Sequence, residues 1–145
     1  MTEGHNALLV GEPCAPRRTA FQYTNAGALT DRWWVVEQRV NEELATRSAG
    51  QVREMVWRSV DDAGPLLDAR TRKLAEQGMQ IPLTEGAWLL IDLGDGRTLV
   101  EYSSRSDPGG WVPDGVSASF AASNLAQNFE NLLKLARSGP ACQGG

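Results

Sequence analysis

Short stretches of alternating apolar and polar residues run through the first half of the chain and predict β-strands. Residues 19–24 (T-A-F-Q-Y-T) alternate and carry two aromatic residues, and residues 31–44 contain the β-rich run W-W-V-V. In residues 51–60, some residues recur two apart and others four apart, so periodicity alone does not distinguish a strand from a helix. Their β-branched residues and the preceding S-A-G turn favour a strand paired with residues 31–44. We therefore expect strands within residues 19–60, after an irregular segment over residues 1–18 that holds one weak strand at most.

The second half begins with a hairpin signal. Residues 86–95 and 97–107 are β-like and meet at G-D-G, and Asp-Gly between two such runs favours a tight turn. Alternate residues of a strand share a face, so one face of the second strand carries Thr98, Val100, Tyr102 and Ser104. Before this hairpin, residues 61–85 are broken by glycine and proline. They predict a long loop with a short helix at residues 68–76.

The one strong helix signal lies near the C-terminus. Over residues 117–137, apolar residues recur at steps of three and four, and the Gly-Pro pair at 139–140 ends the helix, leaving residues 138–145 as a tail. The apolar positions are Ala118, Ala122, Leu125, Phe129, Leu132 and Ala136. Sequential strands followed by one amphipathic helix predict a single α+β domain over residues 1–145, with a curved antiparallel sheet wrapped around the C-terminal helix.

Charge and hydropathy exclude some partners. The 145 residues carry a formal net charge of −4. The dense basic spots, R-R at 17–18 and the R-T-R-K run at 70–73, are few, so we do not expect nucleic acid as a partner. No apolar run approaches the ~20 residues of a membrane span, and the early run A-L-L-V is too short for a signal peptide. The expectation is a cytoplasmic protein without a membrane segment.

The residues that usually carry catalysis are scarce. His5 is the only histidine, and no glycine-rich phosphate-binding motif is present. Cys14 and Cys142 have no metal-ligand spacing. A disulfide joining the termini is one reading of this pair, but free thiols in a reducing compartment are favoured. We assign no cofactor, no metal and no catalytic residue from the sequence.

Tryptophan, in contrast, is abundant, with five residues in the chain. Core packing explains any single one of them, since each buries on the order of 200 Å². Some of them, such as Trp57 and Trp88, would instead line a cavity. The polar groups of Thr98, Tyr102 and Ser104 would be costly inside a dry core, which favours the cavity.

Five segments together resemble a known family. They are T-D-R-W-W-V at 30–35, W-R-S-V-D-D at 57–62, G-A-W-L-L at 86–90, G-R-T-L-V-E-Y at 96–102 and D-P-G-G-W-V-P at 107–113. Over residues 25–137 the chain resembles the SRPBCC superfamily, which comprises the START and polyketide-cyclase-like proteins with a helix-grip fold. The resemblance implies an apolar cavity between sheet and C-terminal helix that holds a lipid, sterol or polyketide-like ligand.

The chain departs from that family at its N-terminus. A complete helix-grip domain carries a first strand and two short helices before the strands found here. Three readings follow: residues 1–18 supply a strand, two copies complete each other as a homodimer through an open sheet edge, or the sequence is a truncated form. An unpaired edge invites pairing with another chain.

The leading hypothesis is non-catalytic binding or transport of a hydrophobic small molecule. Arg53 or Glu54 would help to orient a polar head group, and residues 61–85 would gate entry. The alternatives are a polyketide cyclase- or dehydratase-like enzyme, with Tyr102 and an inward carboxylate as acid and base, or an incomplete domain that pairs with a partner protein. The expected ligand-binding residues are Trp57, Trp88, Thr98, Val100, Tyr102, Ser104, Phe120, Leu125, Phe129 and Leu132.

Overall fold

The computed structural model describes residues 4–27, 29–138 and 142, with side chains for all of these except residues 4 and 114–124. The chain forms two compact units, Met1–Gly109 and Gly110–Gly145. The first unit contains the sheet, and the second contains the C-terminal helix.

The sheet has seven strands in the order β1-β2-β3-β4-β6-β7, with β5 placed beside β3. All neighbours are antiparallel except β3 and β5, which are parallel. The strands are β1 (Gly4–Val10), β2 (Arg17–Thr24), β3 (Asp31–Val40), β4 (Val52–Ser59), β5 (Gly78–Gln80), β6 (Leu83–Gly94) and β7 (Arg97–Asp107).

Three helices accompany these strands, namely α1 (Glu42–Arg47), α2 (Ala69–Ala75) and α3 (Asp114–Ser138), together with a 3-10 turn at Gly64–Leu66. Side-chain caps explain where the two short helices begin. The Asn41 side chain accepts a hydrogen bond from the Leu44 amide, and the Asp68 side chain accepts one from the Thr71 amide. The same contact holds the pKa of Asp68 below its ordinary value.

The register assigns each side chain to one of two sheet faces, because cross-strand partners lie on the same face. We call one the core face: its residues Phe21, Tyr23, Trp33 and Val35 form a buried cluster with Ala63 and Leu67 from the connection between β4 and β5. Leu74 and Ala75 of α2 pack against this cluster. The opposite face carries Trp57, Trp88 and Tyr102, and we call it the aromatic face.

The corner after β7 is fastened to the start of β3. Arg32, only 6% exposed, donates hydrogen bonds from Nε to the Pro108 carbonyl (2.8 Å) and from Nη2 to the Gly109 carbonyl (3.3 Å). Gly109 has a positive φ of +67°, and a Cβ there would lie 2.9 Å from Cδ of Pro82. The start of β3 and the chain at Pro108 and Gly109 are thus in direct contact.

The coarse prediction of an α+β chain with a curved, mainly antiparallel sheet and a C-terminal helix is confirmed. The hairpin is also as predicted, since Asp95 and Gly96 form its turn with φ values of +54° and +71°. The strand at 19–24 extends to Arg17–Thr24, and the helix predicted at 117–137 spans Asp114–Ser138. The predicted tail at 138–145 lies, apart from Ser138 and Cys142, outside the described residues.

Local structure differs from the prediction in three places. Residues 1–18 contain β1, the strand that one of the three readings allowed there, and also the first two residues of β2, so this segment is more regular than predicted. The strand predicted at 31–44 ends at Val40, where Asn41 caps α1. The stretch 61–85 is not one long loop: it contains the 3-10 turn, α2, β5 and the start of β6. The short helix expected at 68–76 is α2.

The expectation of free thiols is also wrong, since Cys14 and Cys142 are both disulfide-bonded. Within the described part of the chain, no helix has the length and apolar character needed to cross a membrane.

Candidate functional site

Three adjacent strands bring three aromatic residues together on the aromatic face. Trp57 lies on β4, Trp88 on β6 and Tyr102 on β7, and the β6–β7 register pairs Trp88 directly with Tyr102. The Tyr102 ring centroid lies 4.5 Å from that of Trp88 at 53° and 5.4 Å from that of Trp57 at 23°. All three side chains are half-buried. We refer to Trp57, Trp88 and Tyr102 as the aromatic cluster.

A glycine makes this arrangement possible. Gly86 pairs with Trp57 on one side and with Ser104 on the other, so it lies between the outer strands of the cluster. A Cβ at position 86 would overlap the six-membered ring of Trp57 and the Ser103 carbonyl oxygen. The Trp57 ring therefore crosses β6 over Gly86 to stack on Tyr102, which a larger residue would prevent.

The other sheet residues predicted for the site share this face. Thr98, Val100 and Ser104 alternate with Tyr102 along β7; Val100 is half-buried, and the other two are exposed. The structure adds Met55, which pairs with Trp88, and Leu90, which pairs with Val100. Prediction missed both, although the two-residue spacing from Trp57 and Trp88 already indicated a common face.

Hydroxyl groups border the aromatic cluster on the side towards the corner. Ser106 Oγ donates to Thr84 Oγ1 at 2.9 Å, and Ser59 Oγ accepts from the Thr84 amide at 3.1 Å. Thr84 is buried, and its hydroxyl is satisfied by Ser106. This end of the aromatic face therefore offers polar groups beside an aromatic surface.

The opposite face of the sheet carries charged residues, both on β4, β6 and β7 and on the neighbouring ends of β2 and β3. Arg58 and Arg105 lie 4.0 and 3.7 Å from Glu85, while Arg17 and Arg39 both pair with Glu37 at 2.6 Å. The hydrogen bond from Arg17 is the main reason that the pKa of Glu37 lies below its ordinary value, with Arg39 acting in the same direction. The sheet thus separates a charged face from an aromatic one on β4, β6 and β7.

The carboxylates of these three strands lie mostly away from Tyr102. Glu54, Glu85, Glu101 and Asp107 fall on the core face, and Asp92 alone shares the face of Tyr102. Asp92 lies four residues from Trp88, about 13 Å along the strand, and accepts a hydrogen bond from the Gly94 amide. Glu54 is therefore on the wrong face to orient a ligand head group beside the aromatic cluster, whereas Arg53 shares the aromatic face.

The four helical candidates belong to α3 in the second unit. Leu125, Phe129 and Leu132 follow one another at steps of four and three and so share a helix face; Leu125 is exposed, and the other two are half-buried. Phe120 lies in α3, but its side chain is outside the described part. That these residues form the second wall of a pocket stays a prediction.

Two depressions lie on the sheet. One of about 520 Å³ is lined by Glu37, Arg39, Val56, Trp57, Arg58, Glu85 and Gly86, so it touches the candidate site only at Trp57 and Gly86. The other, of about 260 Å³, is lined by Asn6, Ala7, Leu8, Pro13, Arg18, Ala20 and Gln38. No group of three or more His, Cys, Asp or Glu side chains that could hold a metal ion occurs among the described residues.

In comparisons with known proteins, no family model, no curated protein and no solved structure matches this chain.

Proposed function

We propose that this chain binds or carries a hydrophobic small molecule, of the lipid, sterol or polyketide-like class, on the aromatic face of its sheet, without catalysing a reaction. The observation that carries the proposal is the aromatic cluster: on three adjacent strands, the Tyr102 ring centroid lies 4.5 Å from that of Trp88 and 5.4 Å from that of Trp57, and all three side chains are half-buried. Binding sites for small molecules combine an apolar and aromatic lining with a few polar groups.

The chemistry of the face suits a largely apolar ligand with a small polar head. Trp57, Trp88 and Val100 provide the apolar surface, and burying it contributes about 25 cal/mol per Å² before ordering costs. Ser104 is the residue next to Tyr102 on this face of β7, and Thr98 lies farther along the same face; both hydroxyl groups can donate a hydrogen bond to, or accept one from, a polar group of the ligand. The resemblance to helix-grip proteins supports the same ligand class.

The enzymatic alternative receives no support from the sheet. General acid–base catalysis by Tyr102 needs a proton acceptor within hydrogen-bond reach of the reacting atoms. On β4, β6 and β7 the carboxylate sharing its face is Asp92, about 13 Å along the sheet. The proposal is therefore a binding function.

The first test is recovery of the ligand. The purified full chain is extracted with organic solvent and the extract analysed by mass spectrometry, and the protein is titrated in parallel with fluorescent fatty-acid and sterol probes. We expect an apolar compound in the extract, saturable uptake of a probe, or both. Absence of both results would contradict the proposal.

The second test locates the site with two matched substitutions. Trp88→Ala removes one ring of the aromatic cluster, whereas Trp111→Ala removes a ring that is 82% exposed and lies outside it. Losing a buried aromatic contact should weaken probe binding about tenfold or more. Trp111→Ala should leave the dissociation constant unchanged. Equal weakening by both substitutions, in variants that keep the wild-type circular dichroism spectrum, would contradict this location.

A further inference from the structure

The β7 strand forms one edge of the sheet. It is the last strand in the sheet order, and its pairing among the described residues is with β6 alone. It is eleven residues long, and nine of the eleven are exposed; only Val100 and Tyr102 are half-buried. A long exposed edge presents a row of backbone amide and carbonyl groups that another strand can pair with.

The opposite edge is a poorer template. There, β1 is seven residues long, and its pairing with β2 is interrupted by a bulge between Leu8 and Val10. Bulges twist an edge and interrupt its ladder, which is one way in which proteins prevent edge-to-edge pairing. The β6–β7 pairing also shifts register between Asp92 and Gly94, but the extra residue there, Leu93, belongs to β6 beside the turn. Of the two edges, β7 is therefore the one that offers a long strand without an extra residue of its own.

The charges along β7 match a second copy of the same strand. When two β7 strands pair in antiparallel orientation over their full length, Tyr102 faces its own counterpart on a two-fold axis. Arg97 then faces Asp107 of the other copy, and Glu101 lies diagonal to Arg105. The two-fold axis repeats each of these contacts. Two diagonals join like charges, Glu101 with its own counterpart and Arg97 with Arg105, so the charge match rests on the directly opposed Arg97–Asp107 pairs and on the Glu101–Arg105 diagonals.

The uncharged side of the strand fits the same register. The residues on the aromatic face of β7 are Thr98, Val100, Tyr102, Ser104 and Ser106, none of which is charged. Full-length pairing places Thr98 opposite Ser106 and Val100 opposite Ser104. Hydroxyl pairs and aromatic pairs across antiparallel strands are favourable neighbours.

We propose that two copies of this chain associate through antiparallel pairing of their β7 strands, centred on Tyr102. The pairing joins the two sheets into one continuous sheet and sets the two aromatic clusters side by side across the two-fold axis. The interface is isologous and closes on itself, so it gives a dimer and not a filament.

The test uses two substitutions at one position. In the proposed register Leu99, which is 51% exposed, faces Arg105 of the other copy. Leu99→Lys creates two Lys–Arg repulsions, and Leu99→Glu creates two Glu–Arg attractions, while both lose the same apolar contact. We therefore expect the dimer of the Lys variant to dissociate about tenfold more readily than that of the Glu variant. Arg47→Glu, on exposed α1 away from β7, controls for net charge and should not change the dimer.

Sedimentation equilibrium over a range of concentrations measures the association. Wild-type protein that remains monomeric at high micromolar concentration would overturn the proposal. A dimer that both Leu99 variants leave unchanged, or weaken equally, would place the interface elsewhere. If the dimer of the Lys variant were instead tighter than that of the Glu variant, the register would be shifted by two residues, so that Leu99 faces Asp107. This result would overturn the register proposed here. The proposed dimer does not require a bound ligand. A result that rules out the dimer therefore does not rule out ligand binding, and a result that rules out ligand binding does not rule out the dimer.

Discussion

Tyr23 shows how one buried polar residue contributes to the stability of the fold. It is 6% exposed and donates its hydroxyl hydrogen bond to Asp31 Oδ2, while Asp31 Oδ1 accepts from the Ala26 amide. The hydrogen bond to Asp31, followed by burial and the charge of the carboxylate, raises the pKa of Tyr23 to about 12. Asp31 thus holds together the turn between β2 and β3.

The first prediction concerns the pH dependence of this contact. The folded-state pKa lies above the ordinary value of about 10, so the contact stabilises fully below pH 10 and is lost as the pH rises towards 12. Tyr23→Phe should lower the free energy of unfolding by about 1.5–3 kcal/mol at pH 7, because it removes a hydrogen bond to a charged group. Urea denaturation at several pH values measures this. A difference from wild type that persists unchanged at pH 12 would contradict the argument.

The second prediction concerns Gly86. Gly86→Ala should lower the free energy of unfolding by about 1–3 kcal/mol, because the new methyl group overlaps the Ser103 carbonyl oxygen and the Trp57 ring. It should also change the near-ultraviolet circular dichroism, since Trp57 can no longer stack on Tyr102 as before. Gly64→Ala is the matched control: a Cβ there meets only Asp62 Oδ1, at 3.9 Å. Equal stability losses in the two variants would show that steric overlap is not the cause.

At the scale of elements, the corner between β7 and α3 depends on a residue far away in sequence. Arg32 at the start of β3 binds the Pro108 and Gly109 carbonyls, and Asp107 Oδ1 accepts the Gly109 amide at 2.9 Å. The guanidinium group spans two consecutive carbonyls because its donors have a fixed planar geometry. The end of β7 is therefore fixed by β3 as well as by β6.

The third prediction tests this contact. Arg32→Lys keeps the charge but loses the planar donor geometry, so it should lower the free energy of unfolding by about 1.5–3 kcal/mol. It should also speed amide hydrogen exchange at the end of β7. Arg58→Lys is the control, since the Arg58 side chain is 77% exposed and should tolerate the change within about 0.5 kcal/mol. A loss of stability no larger than in the control would show that the corner does not need Arg32.

At the scale of the whole molecule, what each face of the sheet contacts or carries changes from β2 and β3 to β4, β6 and β7. On β2 and β3 the core face packs against Ala63 and Leu67, whereas on β4, β6 and β7 the same face carries Glu85 and its arginine partners. The aromatic cluster lies on the other face of those three strands. The proposed ligand site and the proposed dimer edge are therefore both at the β7 end of the first unit.

Several elements were predictable because their signals are local. The Asp-Gly turn fixes the β6–β7 hairpin, and alternation along β7 places Thr98, Val100, Tyr102 and Ser104 on one face, as the register shows. The C-terminal helix follows from its apolar spacing. The helix α1 was missed, and β1 was predicted only as a weak strand at most. The strand β1 forms because β2 pairs with it, and α1 begins where Asn41 caps it in a segment that reads as β.

The sequence by itself determined the position along the chain of most strands, of the hairpin and of the final helix, and which residues of β7 share a face, since turn chemistry and periodicity are local properties of the chain. Only the tertiary structure decided that Trp57 stacks on Tyr102 across Gly86, that Arg32 binds the corner at Pro108 and Gly109, and that β7 forms an edge. The first two of these features join residues 45 to 77 positions apart in sequence. They depend on strand order and register, which local patterns do not encode.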